Sequence, residues 1–218
     1  MNKDSIIVLS GGMDSVTMLH QYASDIALAV NFTYGSNHNA RELECARHHC
    51  DSLGIELVVI DLSFIGELFH SSLLEGADAI PDGDYDFDNM KSTVVPFRNG
   101  IMLAAAAGLA ESRGLHRILI ASHSGDHALY PDCRDSFVKA MSAAIAAGTY
   151  DGITVEAPYS LLDKAQIAER GKELGIDYST TYSCYKGGEV HCGMCGTCRE
   201  RRKALADAGI DDPTEYEQ

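Results

Sequence analysis

Near its start the chain reads Ser5-Ile6-Ile7-Val8-Leu9-Ser10-Gly11-Gly12-Met13-Asp14-Ser15, an apolar run that passes through two glycines into a helical pattern. Adjacent glycines let the backbone turn tightly and approach a ligand without a Cβ in the way. Backbone N–H groups and two serine hydroxyls then face one concavity, and the helix N-terminus adds partial positive charge. The stretch predicts a phosphate or pyrophosphate site, and the competing interpretation is an ordinary glycine turn with a helix cap.

Apolar runs recur along the chain and alternate with longer helical patterns. The predicted strands cover residues 5–9, 26–32, 57–62, 117–121 and 153–156, and the predicted helices cover 14–22, 39–53, 98–113, 134–147 and 164–174. Continuous apolar runs are typical of strands covered on both faces. The alternation predicts an α/β fold with a doubly wound, mainly parallel five-stranded sheet, which binds ligands at the carboxyl ends of its strands.

The composition is that of a globular chain with a large acidic excess. Its 218 residues include 17 basic and 32 acidic ones, which gives a net charge of −15, and 45% of them are hydrophobic. This composition excludes wholesale disorder, and an acidic surface repels phosphate backbones, so we expect no nucleic-acid partner. The longest apolar run, roughly residues 101–110, is shorter than the ~18 residues of a membrane span. We expect a cytoplasmic protein with no membrane partner.

Residues 75–92 interrupt the alternation with six acids, two glycines and a proline. A loop of this length in a compact domain is a lid, a binding loop or a disordered segment. The composition favours a mobile solvated loop slightly over an ordered lid.

A cysteine cluster lies near the end of the chain. Cys184, Cys192, Cys195 and Cys198 fall within fifteen residues, and glycines between them permit turns that aim the sulfurs at one point. Four thiolates fit a structural, tetrahedral Zn²⁺ site, and an iron–sulfur cluster or a redox pair are the alternatives. The basic residues that follow are predicted to begin a solvated helix over 199–208. We therefore divide the chain into an α/β domain at 1–180 and a zinc-binding element with an acidic tail at 181–218.

The glycine-rich string resembles the S-G-G-x-D-S pyrophosphate loop of the N-type ATP pyrophosphatases. It matches neither the dinucleotide fingerprint nor the Walker loop. The resemblance implies a chain that uses ATP and Mg²⁺ to adenylate an oxygen of its substrate and releases pyrophosphate.

Four further strings make the whole chain similar to the 7-cyano-7-deazaguanine synthases of queuosine biosynthesis. They are Asn31-Phe32-Thr33-Tyr34-Gly35, Val95-Pro96-Phe97-Arg98-Asn99, the run Gly125-Asp126-His127-Ala128-Leu129-Tyr130-Pro131-Asp132-Cys133-Arg134, and Ser183-Cys184-Tyr185. Two residues depart from the family's pattern: Phe97 stands where glycine is commoner, and Met13 stands where glutamine is frequent.

The resemblance implies an ATP-dependent carbon–nitrogen ligase with small-molecule substrates. ATP activates the carboxylate of 7-carboxy-7-deazaguanine, ammonia gives the amide, and a second activation gives the nitrile. The family also implies a homodimer. Alternatives are coupling of the same acid to another amine, tRNA thiolation, which the acidic charge disfavours, and a zinc-bearing nucleotide-binding module without catalysis.

The resemblance also implies roles for individual residues. Asp14, Lys164 and Arg98 are predicted to be catalytic, although Lys164 is equally well explained as a solvated surface lysine. The predicted substrate-binding residues are Asn99, Asp126, Tyr130, Asp132 and Arg134. The predicted ATP-binding residues are Leu9, Ser10, Gly11, Gly12, Met13, Asp14, Ser15, Val16, Thr17, Met18 and Leu19.

Overall fold

The computed structural model describes residues 3–217, with Phe87 and Asn89 described by their backbone only. Its sheet has five strands in the order β3-β2-β1-β4-β5, and all neighbouring strands are parallel. This confirms the predicted α/β class. The strands are β1 Ser5–Val8, β2 Ile26–Thr33, β3 Glu56–Asp61, β4 Arg117–Leu119 and β5 Thr154–Glu156.

Helices connect the strands and cover both faces of the sheet. They are α1 Met13–Gln21, α2 Asn39–Leu53, α3 Phe64–Leu68, α4 Phe87–Met90, α5 Arg98–Arg113, α6 Asp135–Gly148, α7 Lys164–Glu173 and α8 Gly196–Asp207. Helix α7 begins where predicted because the Asp163 side chain accepts from the Gln166 N–H and the Gln166 side chain accepts from the Asp163 N–H, a reciprocal cap. The short helices α3 and α4 were not predicted.

The two faces of the sheet carry separate apolar clusters. On β1, Ile6 packs into one cluster and its neighbour Ile7 packs into the other, as the period of two in a strand requires. The chain runs from β1 outward to β2 and β3 on one side and returns to β4 and β5 on the other. The carboxyl ends of β1 and β4 therefore flank a switch in strand order, which is where such sheets bind ligands.

Part of the chain around α5 is apolar enough to span a membrane by length and composition alone. This stretch, Lys91–Arg113, has a mean hydropathy of 1.3 over its most apolar window, half of which is buried. In the structure it is interrupted, since α5 begins only at Arg98, and the residue before it, Phe97, has a left-handed backbone with a φ of 52°. Helix α5 packs on β1 and β4, so we interpret it as a core helix.

The C-terminal segment packs against the sheet through its cysteines and α8. All four cysteines of the predicted metal site are buried and belong to the same apolar cluster as Ile6. The prediction that every basic residue of this helix is solvated is wrong for Arg201, whose side chain is fully buried. Its guanidinium donates to the Tyr178 carbonyl and to hydroxyls of Thr181 and Ser183, which replace the water it has lost.

The segment at 75–92 packs against the C-terminal segment and reaches the carboxyl edge of the sheet. The Gly83 N–H donates to the Met194 carbonyl, and Lys186 pairs with Asp82 at 2.7 Å. Met90 is buried, and the Tyr85 side chain lines the main cavity. These contacts match the lid alternative better than the solvated loop that the composition favoured.

Candidate active site

A cavity of about 210 Å³ opens at the carboxyl ends of β1, β2 and β4. Residues from both halves of the sheet, from the 75–92 segment and from the C-terminal segment form its walls. The polar ones are Ser10, Asp14, Ser15, Asn31, Tyr34, His38, Glu42, Tyr85, Arg98, Asn99, Ser122, His123, Asp126, Tyr130, Lys164, Tyr182, Ser183, Tyr185 and Thr197.

The glycine-rich loop forms one wall of the cavity. The Gly11 N–H donates to the Ser15 hydroxyl at 3.2 Å, and the Gly12 N–H donates to the Ser10 hydroxyl at 3.1 Å. The two hydroxyls are 3.0 Å apart, so the serines fold the loop onto the start of α1. The N–H groups in the first turn of α1 have no acceptor within the helix and remain as donors beside the cavity.

A cluster of charged side chains surrounds Asp14 at the start of α1. One oxygen of its carboxylate lies 3.3 Å from the Lys164 ammonium and 3.7 Å from the His123 Nε2 atom. The other oxygen, Oδ1, is buried without a hydrogen-bond partner in the part of the chain that the structure describes. The His123 Nε2 atom also lies 3.5 Å from the Asp126 carboxylate. Side chains from α1, from α7 and from the segment after β4 therefore meet in one polar cluster.

Lys164 is a buried residue of this cluster and not the solvated surface lysine that the sequence left open. Its ammonium donates to the Glu200 carboxylate of α8 at 2.6 Å, and its side chain is only 13% exposed. Burial alone lowers the pKa of a lysine, but Asp14 and Glu200 outweigh it and raise the pKa of Lys164 above its usual value. The ammonium therefore stays charged and is placed to attract an anion.

Arg98, Tyr34 and His38 line the opposite wall. The Arg98 guanidinium donates to the Tyr34 hydroxyl at 3.1 Å, and among residues 3–217 no carboxylate lies within 4.0 Å of it. The His38 ring stacks on Tyr185 with 5.3 Å between ring centroids. This wall offers a cation without a carboxylate partner and flat aromatic surfaces, which suit a planar anion.

Glu42 of α2 joins this wall and was not predicted from the sequence. Its carboxyl lies 3.8 Å from the His38 ring, and burial raises its pKa to about 7 although Arg98 acts against the shift. Burial and Arg98 together lower the pKa of His38 to about 3, so this imidazole is neutral. Glu42 is therefore a carboxyl group that changes its charge near neutral pH inside the cavity.

Asn99 and Asp132 are hydrogen-bonded to each other at the start of α5. The Asn99 N–H donates to the Asp132 carboxylate at 2.8 Å, which caps the helix, and the Asn99 side chain donates to the Cys133 sulfur. Burial raises the pKa of the Cys133 thiol, as expected for a packed rather than a reactive cysteine. Asp132 does not line the cavity, whereas Asn99 and Cys133 do.

The 75–92 segment adds Tyr85 to the cluster around Asp14. The Tyr85 hydroxyl donates to Asp126 at 2.9 Å, and burial together with Asp126 raises its pKa, which keeps the hydroxyl protonated. Next to it the Tyr130 hydroxyl lies 2.9 Å from the Thr93 hydroxyl. Both tyrosines line the cavity.

The structure brings most of the predicted site residues together. Asp14, Lys164 and Arg98 line the cavity, as do Asn99, Asp126 and Tyr130, while Asp132 and Arg134 lie outside it. Arg134 is exposed and donates to the His127 carbonyl. Of the predicted ATP-binding residues, Leu9, Ser10, Gly12, Met13, Asp14 and Ser15 line the cavity, whereas Val16, Thr17, Met18 and Leu19 are buried inside α1 and Gly11 contacts α2.

The sequence contains no indication that Glu42 and Glu200 belong to the site, other than that both are acidic residues. Glu42 lies on a helix rich in charged residues, and Glu200 lies in a basic run, so neither stands out by spacing. Their roles depend on how α2 and α8 pack against the sheet. Ser183 and Tyr185, which flank the first cysteine of the cluster, also line the cavity.

The four cysteine sulfurs form a second site, close to the cavity. They lie within 4.8 Å of one another, and the Cys192 and Cys198 sulfurs are 4.0 Å apart. A tetrahedral Zn²⁺ ion with Zn–S bonds of ~2.3 Å needs sulfurs about 3.8 Å apart. Backbone N–H groups of Met194 and Cys195 also donate to the Cys192 sulfur, as in a thiolate turn. The four side chains are therefore placed to hold one metal ion.

A parallel α/β sheet with a glycine-rich loop and a helix N-terminus at its switch point is typical of enzymes that bind nucleotide phosphates. A family model described as "Queuosine biosynthesis protein QueC" matches residues 4–209. The 7-cyano-7-deazaguanine synthase of Porphyromonas gingivalis is 63% identical over 215 residues, which are 99% of this chain and 98% of that protein. The synthase of the same name from Desulfotalea psychrophila is 52% identical and covers 98% of each chain. The chain belongs to the QueC family.

Among solved structures, the NMN synthetase from Francisella tularensis has a similar fold. The TM-score is 0.52 and the sequence identity is 13%, over 96% of this chain and 79% of that one. At this identity the similarity supports the fold alone.

Proposed function

We propose that this chain converts 7-carboxy-7-deazaguanine and ammonia to 7-cyano-7-deazaguanine at the expense of ATP. The observation that carries the proposal is the cavity itself, in which the glycine-rich loop, Lys164 and Arg98 surround one space. The relatives of that name match over nearly their full length, which supports the same activity.

The chemistry requires two activations. A carboxylate is a poor electrophile because oxide would have to leave, so its oxygen attacks the α-phosphate of ATP to give an acyl adenylate and pyrophosphate. Ammonia then displaces AMP and the amide forms with loss of a proton. The amide oxygen attacks the α-phosphate of a second ATP and releases a second pyrophosphate and a proton. Elimination of AMP and the remaining N–H proton from this adenylated amide then leaves the nitrile. Preorganised donors around the phosphates stabilise the charge of each leaving group.

The residues of the cavity suit these steps in the following way. The free N–H groups in the first turn of α1 bind the departing pyrophosphate beside the hydroxyls of Ser10 and Ser15, and Lys164 balances its charge. Arg98 pairs with the substrate carboxylate, since no protein carboxylate within reach in the described chain competes for it. Asp126, Asn99 and Tyr130 line the space left for the deazaguanine ring. Asp132 and Arg134, also predicted to bind substrate, support this part of the site from outside the cavity.

Two metal ions belong to the proposal. The unpartnered Asp14 oxygen fits Mg²⁺, a hard cation that prefers carboxylate oxygens, and that ion would neutralise phosphate charge. Zn²⁺ fits the four sulfurs and has a structural role, because a closed shell of four thiolates leaves no position for a substrate.

The direct test incubates the purified protein with ATP, Mg²⁺, ammonium and 7-carboxy-7-deazaguanine and measures product masses. We expect the amide and then the nitrile, with AMP and pyrophosphate. A folded, zinc-loaded protein that yields neither mass contradicts the proposal. Coupling to a different amine gives a different mass, and a binding module gives no pyrophosphate.

Phe97 does not support the alternative reaction, in which the same acid is coupled to another amine. This residue departs from the family's pattern, but its ring lies 60% exposed outside the cavity and packs edge-on against Phe137. Its backbone has the left-handed conformation that glycine adopts most readily.

The remaining expectations concern the cellular context. We propose a cytoplasmic homodimer that acts on small molecules and has no nucleic-acid partner. The acidic net charge of −15 supports the last point. Sedimentation analysis of the purified protein tests the dimer, and a gel-shift assay with tRNA tests the absence of nucleic-acid binding.

A further inference from the structure

The ammonium of Lys164 lies between two carboxylates that come from distant parts of the chain. Glu200 of α8 is 2.6 Å from it, and Asp14 of α1 is 3.3 Å from it. All three side chains are largely buried, with between 13% and 21% of each exposed. The Lys164 ammonium is therefore closer to Glu200 than to Asp14, the carboxylate that follows the two glycines of the loop.

This asymmetry has a consequence for Asp14. A lysine ammonium has three N–H donors and can contact two carboxylates at once, so its position depends on both partners. Here Glu200 takes the closer contact, and the Oδ1 atom of Asp14 stays without a hydrogen-bond partner among the described residues. A buried carboxylate oxygen of this kind is costly unless it has a ligand to bind.

The cysteine cluster and Arg201 fix the position of Glu200. Helix α8 begins at Gly196, directly after Cys195, and Cys198 lies in its first turn, two residues before Glu200. On the other side of Glu200, the buried guanidinium of Arg201 is bonded to the segment before the cluster. The carboxylate therefore projects from a turn that is held at both ends.

We infer that Glu200 is a positioning residue that couples the cysteine cluster to the nucleotide site. It holds Lys164 toward α8, and Asp14 thereby keeps one oxygen for a divalent cation. A metal ion on the cysteines fixes the first turn of α8 and so maintains this arrangement. The inference rests on the proposed use of ATP with Mg²⁺, and it gives the cysteine element a role in the active site besides stability.

The test is the variant Glu200→Gln, compared with Glu44→Gln as a matched control. Glu44 also pairs with a cation, Arg41, at 2.7 Å, but it lies on the surface with 64% of its side chain exposed. Binding of a non-hydrolysable ATP analogue is measured by calorimetry over a series of Mg²⁺ concentrations, and cysteine-bound metal is measured by elemental analysis. We expect Glu200→Gln to need about tenfold more Mg²⁺ for half-maximal binding, the size of one charge-assisted hydrogen bond. Metal content stays at the wild-type value.

Several results separate this inference from the proposed function. A Mg²⁺ dependence in Glu200→Gln equal to that of the wild type overturns the inference and leaves the proposed function intact. If the glutamine variant folds poorly, Glu200→Asp keeps the charge on a side chain one methylene shorter, and we expect a smaller shift in the same direction. A wild-type Mg²⁺ dependence in that variant overturns the inference. Failure of the wild type to bind the analogue overturns the proposed function as well.

Discussion

Gly11 cannot be replaced by any residue with a side chain unless the surrounding backbone moves. Its φ is +110°, and a Cβ at this position would lie 2.0 Å from the Glu42 carbonyl oxygen of α2. The glycine loop therefore does more than form one wall of the cavity, because the absence of a side chain at Gly11 also lets α2 pack closely against the loop. That packing brings the Glu42 side chain to the cavity.

Gly11→Ala is expected to destabilise the protein and to weaken ATP binding. The loss in free energy of unfolding is ~2 kcal/mol or more, since backbone strain and a collision act together. Gly54→Ala is the control, because Gly54 also has a positive φ, +62°, but a Cβ added there would meet no atom within 4 Å. Urea unfolding of both variants measures the difference. Equal losses at the two positions would contradict the importance of the contact with α2.

Glu42 makes stability depend on pH in a direction that can be stated in advance. Its carboxyl titrates with a pKa of 4.5 in an unfolded chain and of about 7 in the folded one. Between these values the folded state binds more protons, so the free energy of unfolding contributed by this group falls as the pH rises. Above pH 7 the folded protein contains a buried, ionised carboxylate.

Glu42→Gln is therefore expected to be more stable than the wild type at pH 8, by ~1 to 3 kcal/mol. Near pH 4.5 the two proteins should have similar stability, because the wild-type carboxyl is then protonated in the folded state. Denaturant unfolding at the two pH values gives the comparison, and the exposed Glu44→Gln on the same helix should show little change at either. A gain for Glu42→Gln that is independent of pH would exclude titration as its cause.

At the scale of elements, helix α8 connects the two sites of the molecule. It begins at the cysteine cluster, packs on α7 and carries Glu200 to the start of that helix, where Lys164 lies. The cysteines also belong to the main apolar cluster, so their four sulfurs are buried in the same core as the sheet. A metal ion here should therefore stabilise the whole domain and not only the C-terminal segment.

Removal of the metal is expected to lower the melting temperature by about 10 °C or more. The physical reason is that four buried thiols then lose their common ligand, and metal binding to such sites contributes several kcal/mol to folding. Calorimetric melting before and after treatment with a chelator measures the change, and added Zn²⁺ should reverse it. A melting temperature that does not respond to the chelator, despite loss of the metal, would show that the cysteines pack well without it.

At the scale of the whole molecule, net charge influences the rate at which an anionic substrate associates with the protein. The net charge of −15 repels ATP at long range, while the attractive groups are few and local. Salt screens the long-range repulsion over about 10 Å at 0.1 M but affects buried contacts much less. The association rate constant for nucleotide should therefore rise with salt concentration, whereas that of a basic protein for nucleic acid falls.

We expect the association rate constant for a fluorescent ATP analogue to rise, by roughly two- to fivefold, between about 20 and 200 mM salt. Stopped-flow mixing at constant Mg²⁺ measures it, and the dissociation rate constant should change less. An association rate that falls with salt would mean that Lys164 and Arg98 dominate the field at the entrance of the cavity.

The amino-acid sequence by itself determined the parallel sheet, and it predicted the glycine-rich loop as an anion site and the four clustered cysteines as metal ligands. Apolar runs, adjacent glycines and closely spaced cysteines are local patterns, and each constrains the backbone or the chemistry within a few residues. The glycine-rich loop and the cysteines of the cluster were identified in this way, whereas the role of Asp14 was implied by the family resemblance. The left-handed backbone at Phe97 was not identified, since a phenylalanine there gives no sign of the conformation that glycine prefers.

Only the tertiary structure decided which charged side chains share the cavity. Glu42 and Lys164 line the cavity, and Glu200 pairs with Lys164. All three are ordinary residues on charged helices, and their burial follows from the packing of α2, α7 and α8 at the edge of the sheet. The packing of α8 also removed Arg201 from solvent, while Arg134, directly before α6, lies outside the cavity. Burial, pKa and ion pairing arise from contacts between residues far apart in the chain, and for that reason no local pattern encodes them.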